Sequence, residues 1–305
     1  INSGDYFSST NLRRTYNSFA RLGAVRYTNI DFIEHPDTAL LDCRLQISNN
    51  KPNTISFQPE GTNTAGDLGA AASLTYQNRN IFRGSELFSI QLRAAFEAIS
   101  KLEGYDANDY EEYSVTASLQ FPRFVAPFLS NKVRYRSTAT SEISVSWDLQ
   151  NRPEFHRRVF SAAWKYRWQN QRRHLNYNLD LLDLNYVYMP WISQTFKHDY
   201  LDSVSNRNAI LRYNYEDLFI MKIGFGVLYN HNNNAIRANI ETAGNLLRGL
   251  SSAFGFKRDE QGRYKLFNIA YAEYVKFDFD YTHQFIFDPN NQLVLHTDFG
   301  IAWPY

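Results

Sequence analysis

From Thr54 onward, apolar and polar residues alternate with a period of two. That is the spacing of a strand whose two faces meet different surroundings, because successive side chains point to opposite sides. Ala70, Ala72, Leu74 and Tyr76 alternate with Ala71, Ser73, Thr75 and Gln77. Phe88, Ile90, Leu92, Ala94 and Phe96 do so with Ser89, Gln91, Arg93 and Ala95. Further runs carry Tyr113 to Phe121, Ile143 to Leu149 and Phe160 to Trp168 on the apolar side. The run from Leu175 slips phase near Leu182, and the pattern resumes over Phe219–Tyr229, Ile236–Ile240, Val275–Phe287 and Leu293–Trp303. With a first strand near Thr54–Gly61, the pattern predicts about eleven strands. Many exceed the ~5–6 residues usual in globular sheets.

Residues 1–51 follow another rule. Ser8, Ser9 or Thr10 can cap a helix over 11–22, with Leu12, Tyr16, Phe19 and Ala20 as its apolar stripe and Gly23 as its stop. Two strand-like runs follow, Val25–Ile33 and Ala39–Ile47, joined by a turn at His35-Pro36-Asp37. A helix and a hairpin make a small α+β unit, too small to be comfortable alone.

Long alternating strands suit either a soluble β-sandwich or a membrane barrel. The apolar sides carry large aromatics, often near strand ends, as the girdles of outer-membrane barrels do. The opposite sides carry successive charges, which suits a wet lumen. The expected lipid-facing residues therefore include Trp147, Trp164, Tyr166, Trp168, Phe277, Phe279 and Trp303. The expected lumen-facing residues include Glu142, Asp148, Lys165, Arg167, Lys276, Asp278 and Asp280. Composition agrees: 16% of the 305 residues are aromatic, yet mean hydropathy is −0.48. A formal net charge of +1 gives no basis for nucleic-acid binding. No stretch approaches the ~20 apolar residues of a spanning helix, but a barrel strand needs only ~9–11. Short connections at Asn78–Asn80, Gln150–Pro153 and Asp288–Asn291 contrast with long ones at Lys101–Asp109, Met189–Asn208 and Arg248–Arg263. Such a contrast suggests short turns on one side of the membrane and long loops on the other.

The run Gln58-Pro59-Glu60-Gly61-Thr62-Asn63-Thr64-Ala65-Gly66-Asp67-Leu68-Gly69 leads into Ser73-Leu74-Thr75-Tyr76-Gln77-Asn78-Arg79-Asn80-Ile81-Phe82-Arg83-Gly84-Ser85-Glu86. It resembles the first barrel hairpin of the BamA/TamA superfamily, and within it the TamA-like lipoproteins of the Bacteroidetes. Upstream, Gly4-Asp5-Tyr6, Leu22-Gly23, Asn29-Ile30 and Pro36-Asp37 resemble the second helix and final hairpin of that family's last POTRA domain. The resemblance implies a mostly β chain: residues 1–51 as the end of a POTRA domain, and 54–305 as part of a sixteen-stranded transmembrane antiparallel barrel. The family's sixth-loop Val/Ile-Arg-Gly-Phe/Tyr run is absent, so the chain is expected to be a piece ending before that loop. The resemblance further implies an outer-membrane site with the N-terminal part in the periplasm. The implied partners are outer-membrane lipid, client outer-membrane proteins, and a TamB-like periplasm-spanning partner or accessory lipoproteins. The implied mechanism is a weak seam whose first strand, Thr54, Ile55, Ser56, Phe57 and Gln58, binds a client strand through its backbone. On this reading Ser56 offers a donor along that edge. Pro59, which has no N–H, suits an edge position.

Residue chemistry points away from catalysis. His174, His198, His231, His283 and His296 show no local metal-ligand spacing, so no metal or cofactor is expected. Gly61, Gly66 and Gly69 read as hairpin-turn glycines rather than a phosphate loop. The single cysteine, Cys43, reads as a buried, inert thiol among Leu40, Leu41, Leu45 and Ile47. Three function classes remain: an assembly or translocation barrel, a two-partner secretion transporter or passive channel, and an outer-membrane enzyme. The POTRA-like residues favour the first two.

Overall fold

The computed structural model describes residues 4–36, 40–64, 67–99, 109–126, 139–170, 172–201, 215–245, 249, 265–266, 269–270 and 273–304. Its first helix, α1, spans Ser9–Ala20, two residues earlier than the sequence pattern suggests. Ser8 takes the capping role, its side chain accepting from Asn11 N at 3.4 Å. The helix closes at Arg21 in ordinary right-handed geometry, so Gly23 is not its left-handed stop. β1 (Val25–Glu34) and β2 (Leu41–Asn49) then form a separate antiparallel hairpin. Tyr16 ties α1 to it, its hydroxyl oxygen accepting from Ile30 N at 3.0 Å. Asp37 of the expected turn lies outside the described residues. Cys43 is exposed, contrary to expectation, because nothing described covers β2 on either side.

The remaining long strands make one sheet. They are β3 (Asn53–Thr64), β4 (Asp67–Asn78), β5 (Leu87–Ala98), β6 (Asp109–Phe121), β7 (Thr140–Asn151), β8 (Phe155–Asn170), β9 (Leu175–Ile192), β10 (Leu218–His231), β11 (Asn234–Ala243), β14 (Tyr274–Asp288) and β15 (Asn291–Pro304). A two-residue pair, β12 (Lys265–Leu266) and β13 (Ile269–Ala270), stands apart. The large sheet has 11 strands in chain order, every neighbour antiparallel, with β3 and β15 as its edges. No described helix is long and apolar enough to cross a membrane.

Register carries the faces across the sheet, since directly opposed residues share a side. One row runs Phe57, Leu74, Leu92, Val115, Trp147, Phe160, Tyr186, Phe219. Another runs Tyr166, Leu179, Phe225, Ile240, Phe277, Ile301. The phase slip near Leu182 is a β-bulge: Trp164 opposes Leu182 and Lys165 opposes Asp180, leaving Leu181 extra. β10 meets the same irregularity between Lys222 and Gly224.

The end of the sheet that meets residues 1–51 carries the connections 79–86, 122–139, 171–174, 232–233 and 289–290. The other end carries 65–66, 99–108, 152–154, 193–217 and 244–273. The expected segregation of short turns from long loops is thus incomplete. The short 152–154 turn sits among the long connections, and the long 122–139 segment sits among the short ones. Much of the three expected long loops lies outside the described residues, and β9 extends through Met189 to Ile192. Gly61 and Gly69 lie inside β3 and β4, opposite Ala70 and Thr62, so neither is a turn residue; Gly66 is not described. Gly69 is needed for space: a Cβ there would sit 2.7 Å from the Phe96 carbonyl.

Candidate functional site

The sheet is inside-out for a soluble protein. Along β7 the apolar Ile143, Val145 and Trp147 are exposed, while the intervening Ser144, Ser146 and Asp148 are half-buried. β5 and β6 repeat the pattern at Leu92, Ala94 and Phe96 and at Tyr113 and Val115. No second sheet packs on the apolar face among the described residues. A β-sandwich would cover that face with another layer, so the sandwich reading fails here.

All seven residues expected on the lipid side share this apolar face. Trp147 lies in the Phe57 row, and Trp164 sits between Ile143 and Leu182. Phe277, Phe279 and Trp303 follow on β14 and β15, opposite Ile301, Phe299 and Val275. Trp168 stacks on Tyr177 at 5.2 Å between ring centroids. Tyr166 shares the face but is only 5% exposed. Residues after β6 fold back over it: Phe124 lies 5.6 Å from its ring, and its hydroxyl donates to Val125 O at 2.8 Å. Ser141 pins the same segment, accepting from Val125 N at 2.9 Å and donating to Arg123 O at 2.8 Å. Sequence alternation cannot show this cover, because it comes from a connection rather than a strand.

The seven expected lumen residues share the opposite face, where ion pairs step across the sheet. Arg167 meets Glu142 at 3.0 Å, Lys222 meets Glu241 at 3.2 Å, and Lys276 meets Asp278 at 2.8 Å. Arg93 adds Glu60 at 3.4 Å. These are partly solvated pairs, each contributing about 0–1 kcal/mol. Lys165 opposes Glu142 and Asp180 in the same rows. Asp148 and Asp280 occupy this face as well, with one Asp148 oxygen buried and unpartnered.

β3 is the other candidate feature. It pairs with β4 on one side only. Arg79 N donates to Pro52 O at 2.8 Å, one step beyond the Asn53–Asn78 pair. Hydrogen-bonded and non-bonded pairs alternate along an antiparallel ladder. Thr54, Ser56 and Gln58 therefore turn their backbone groups toward β4. Ile55, Phe57 and Gly61 turn theirs to the open edge, and Pro59 contributes only a carbonyl there. Ser56 is thus corrected: its N–H belongs to the β3–β4 ladder, and the edge donors are its neighbours. Ile55 and Phe57 are also 71% and 65% exposed, so this edge presents both donors and apolar side chains.

A locked turn joins this hairpin to residues 1–51. Between β4 and β5, Arg83 and Ser85 both hold φ 63, the left-handed region that L-residues seldom occupy. Asn80 Oδ1 accepts from Ser85 N at 2.9 Å, and Ser85 Oγ accepts from Ala24 N at 2.9 Å. Glu86, 1% exposed, accepts from Gly84 N at 2.8 Å and faces Arg123 at 3.4 Å. One knot therefore links the N-terminal unit, the first hairpin and the segment covering Tyr166.

No protein-family profile matches the sequence, and no curated protein matches it. Among solved structures, the chain is similar to BamA from Haemophilus ducreyi lacking POTRA domains 1–3. The TM-score is 0.55 at 12% identity, covering 100% of this chain and 51% of that one. It is also matched to CdiB from Acinetobacter baumannii, at a TM-score of 0.48 and 12% identity, covering 100% and 48%. The chain spans about half the length of these structures. The fold is a mostly β, antiparallel arrangement of the BamA barrel type.

Proposed function

We propose that the protein is a transmembrane barrel of the bacterial outer membrane whose seam opens to assemble or export client proteins. The membrane part of this reading rests on the exposed apolar face, with residues such as Trp147 at 53% exposure and no second sheet over them among the described residues. A closed barrel is the sheet form that satisfies every backbone group in lipid. The client part rests on one observation: β3 presents the outward donors of Ile55, Phe57 and Gly61 along an edge interrupted by Pro59. Such an edge can take an added strand by β-augmentation, with main-chain bonds giving affinity. The 1–51 unit, tied to the first hairpin at Ala24–Ser85, is read as the end of a periplasmic POTRA domain, which fits the resemblance of its sequence. Family-specific partners, such as a TamB-like protein, belong to the same proposal.

Client assembly in cells tests it. Phe57→Pro removes an outward donor and should stop client assembly while the barrel still folds. Phe57→Val keeps the donor and should be tolerated. Ser56→Pro breaks the β3–β4 ladder instead, and should loosen the hairpin itself. A Phe57→Pro protein that folds and assembles clients at the normal rate would remove β3 as the working surface and leave a passive channel.

A further inference from the structure

On the polar face, Asp280 of β14 and Asp298 of β15 are direct cross-strand partners. Like charges placed opposite one another destabilise a sheet unless something neutralises them. The next acid along β14, Asp278, has Lys276 at 2.8 Å. Among the described residues, no Lys or Arg forms an ion pair with Asp280 or Asp298. Arg237 opposes Asp280 across β11 but makes no ion pair with it. What reaches Asp280 is an imidazole: His296 Nε2 stands 3.8 Å from Asp280 Oδ1. His296 opposes Thr282, so it projects from the same face as both acids. One ligand atom from each of Asp280, His296 and Asp298 lies within 4.8 Å of the others.

We propose that these three side chains form a binding site for a divalent transition ion of the zinc class, which clamps β14 to β15 from the polar side. Zinc holds imidazole nitrogen and carboxylate oxygen at about 2.0–2.2 Å, which places tetrahedral ligands roughly 3.3 Å apart. The observed spacing, 3.8 Å between His296 and Asp280 and at most 4.8 Å within the group, must shorten to reach it. The ion neutralises the opposed carboxylates, and His296 selects it over calcium or magnesium, which prefer all-oxygen shells. Water supplies the fourth position, since His296 and Asp298 are exposed. Local spacing hid this site, because its third ligand, Asp280, comes from the neighbouring strand. The proposal depends on the β14–β15 register and not on the seam reading.

The test uses the folded protein in detergent, stripped with a chelator and titrated with Co2+. A visible absorption band should saturate at one ion per chain and vanish on adding Zn2+. Because even outer partners of a metal site contribute about 10–100-fold to affinity, His296→Ala and Asp298→Asn should each weaken binding by at least about a hundred-fold. His283→Ala, a β14 histidine on the other face, should leave the curve unchanged. A second measurement needs no variant: Zn2+ should shield His296 of the unaltered protein from diethylpyrocarbonate, read by peptide mass spectrometry. Absence of saturable Co2+ binding, a curve unmoved by His296→Ala, or His296 modification indifferent to Zn2+ would each overturn the site.

Discussion

Arginine placed at two successive positions of β7 separates the faces with the least confounding chemistry. Val145 lies on the apolar face, 42% exposed, between Ala117 and Ala162 on the flanking strands. Those neighbours are small, so Val145→Arg meets no steric obstacle and its effect reports the surroundings. Ser146 lies on the polar face between Thr116 and Ser161. Arginine near the bilayer midplane costs about 2–4 kcal/mol on a lipid-facing strand position. At 1.4 kcal/mol per decade, that is roughly a thirty-fold to several-hundred-fold loss in the folding equilibrium. Ser146→Arg adds the same charge and the same bulk to the polar side, and should change stability by less than about 1 kcal/mol. The assay is urea-dependent folding into phosphatidylcholine vesicles, followed by tryptophan fluorescence and heat-modifiable gel migration. Equal losses at the two positions, or a larger loss at Ser146, would show that the exposed apolar face does not meet lipid.

The same assay should find Trp164→Arg destabilising by about 2–4 kcal/mol, and Lys165→Ala nearly silent, because the two project from opposite sides of β8. Glu86→Ala should cost about 1–3 kcal/mol in urea titration, since Gly84 N loses its acceptor in a buried turn. Glu86→Gln should recover part of that, and a neutral result for Glu86→Ala would mean the turn is not held through this carboxylate. Gly69→Ala should destabilise by about 1–3 kcal/mol, because the added methyl confronts the Phe96 backbone carbonyl as well as the Thr62 hydroxyl, and the carbonyl cannot rotate away.

Period-two alternation makes the sheet legible in the sequence, because it reports the facing of each residue and antiparallel neighbours pair in chain order. It also located the Leu181 bulge, where an extra residue breaks the phase. The connections were less legible. Phe124 and Ser141 have no periodic role, so the cover over Tyr166 shows only in three dimensions. The edge assignment failed at Ser56 for a related reason. Side-chain pattern says which way a residue faces, whereas the direction of its N–H depends on which pair starts the ladder, fixed here by Arg79 and Pro52. His296 and Asp280 lie far apart in sequence and meet only through the β14–β15 register, which scanning for local ligand spacing does not sample.

The bulge at Leu181 also marks where this chain can change length over evolutionary time. Removing one residue from the middle of an ordinary strand turns every later side chain to the wrong face. Deleting Leu181 does not, because Asp180 and Leu182 already occupy opposite faces as successive residues would, opposite Lys165 and Trp164. Both flanking strands accommodate the irregularity, so the loss would remove a local bend and leave each neighbour's pairing intact. Among related barrels, single-residue gaps are therefore expected to collect at this point of β9, and strands without such a feature should vary in sequence while keeping their length.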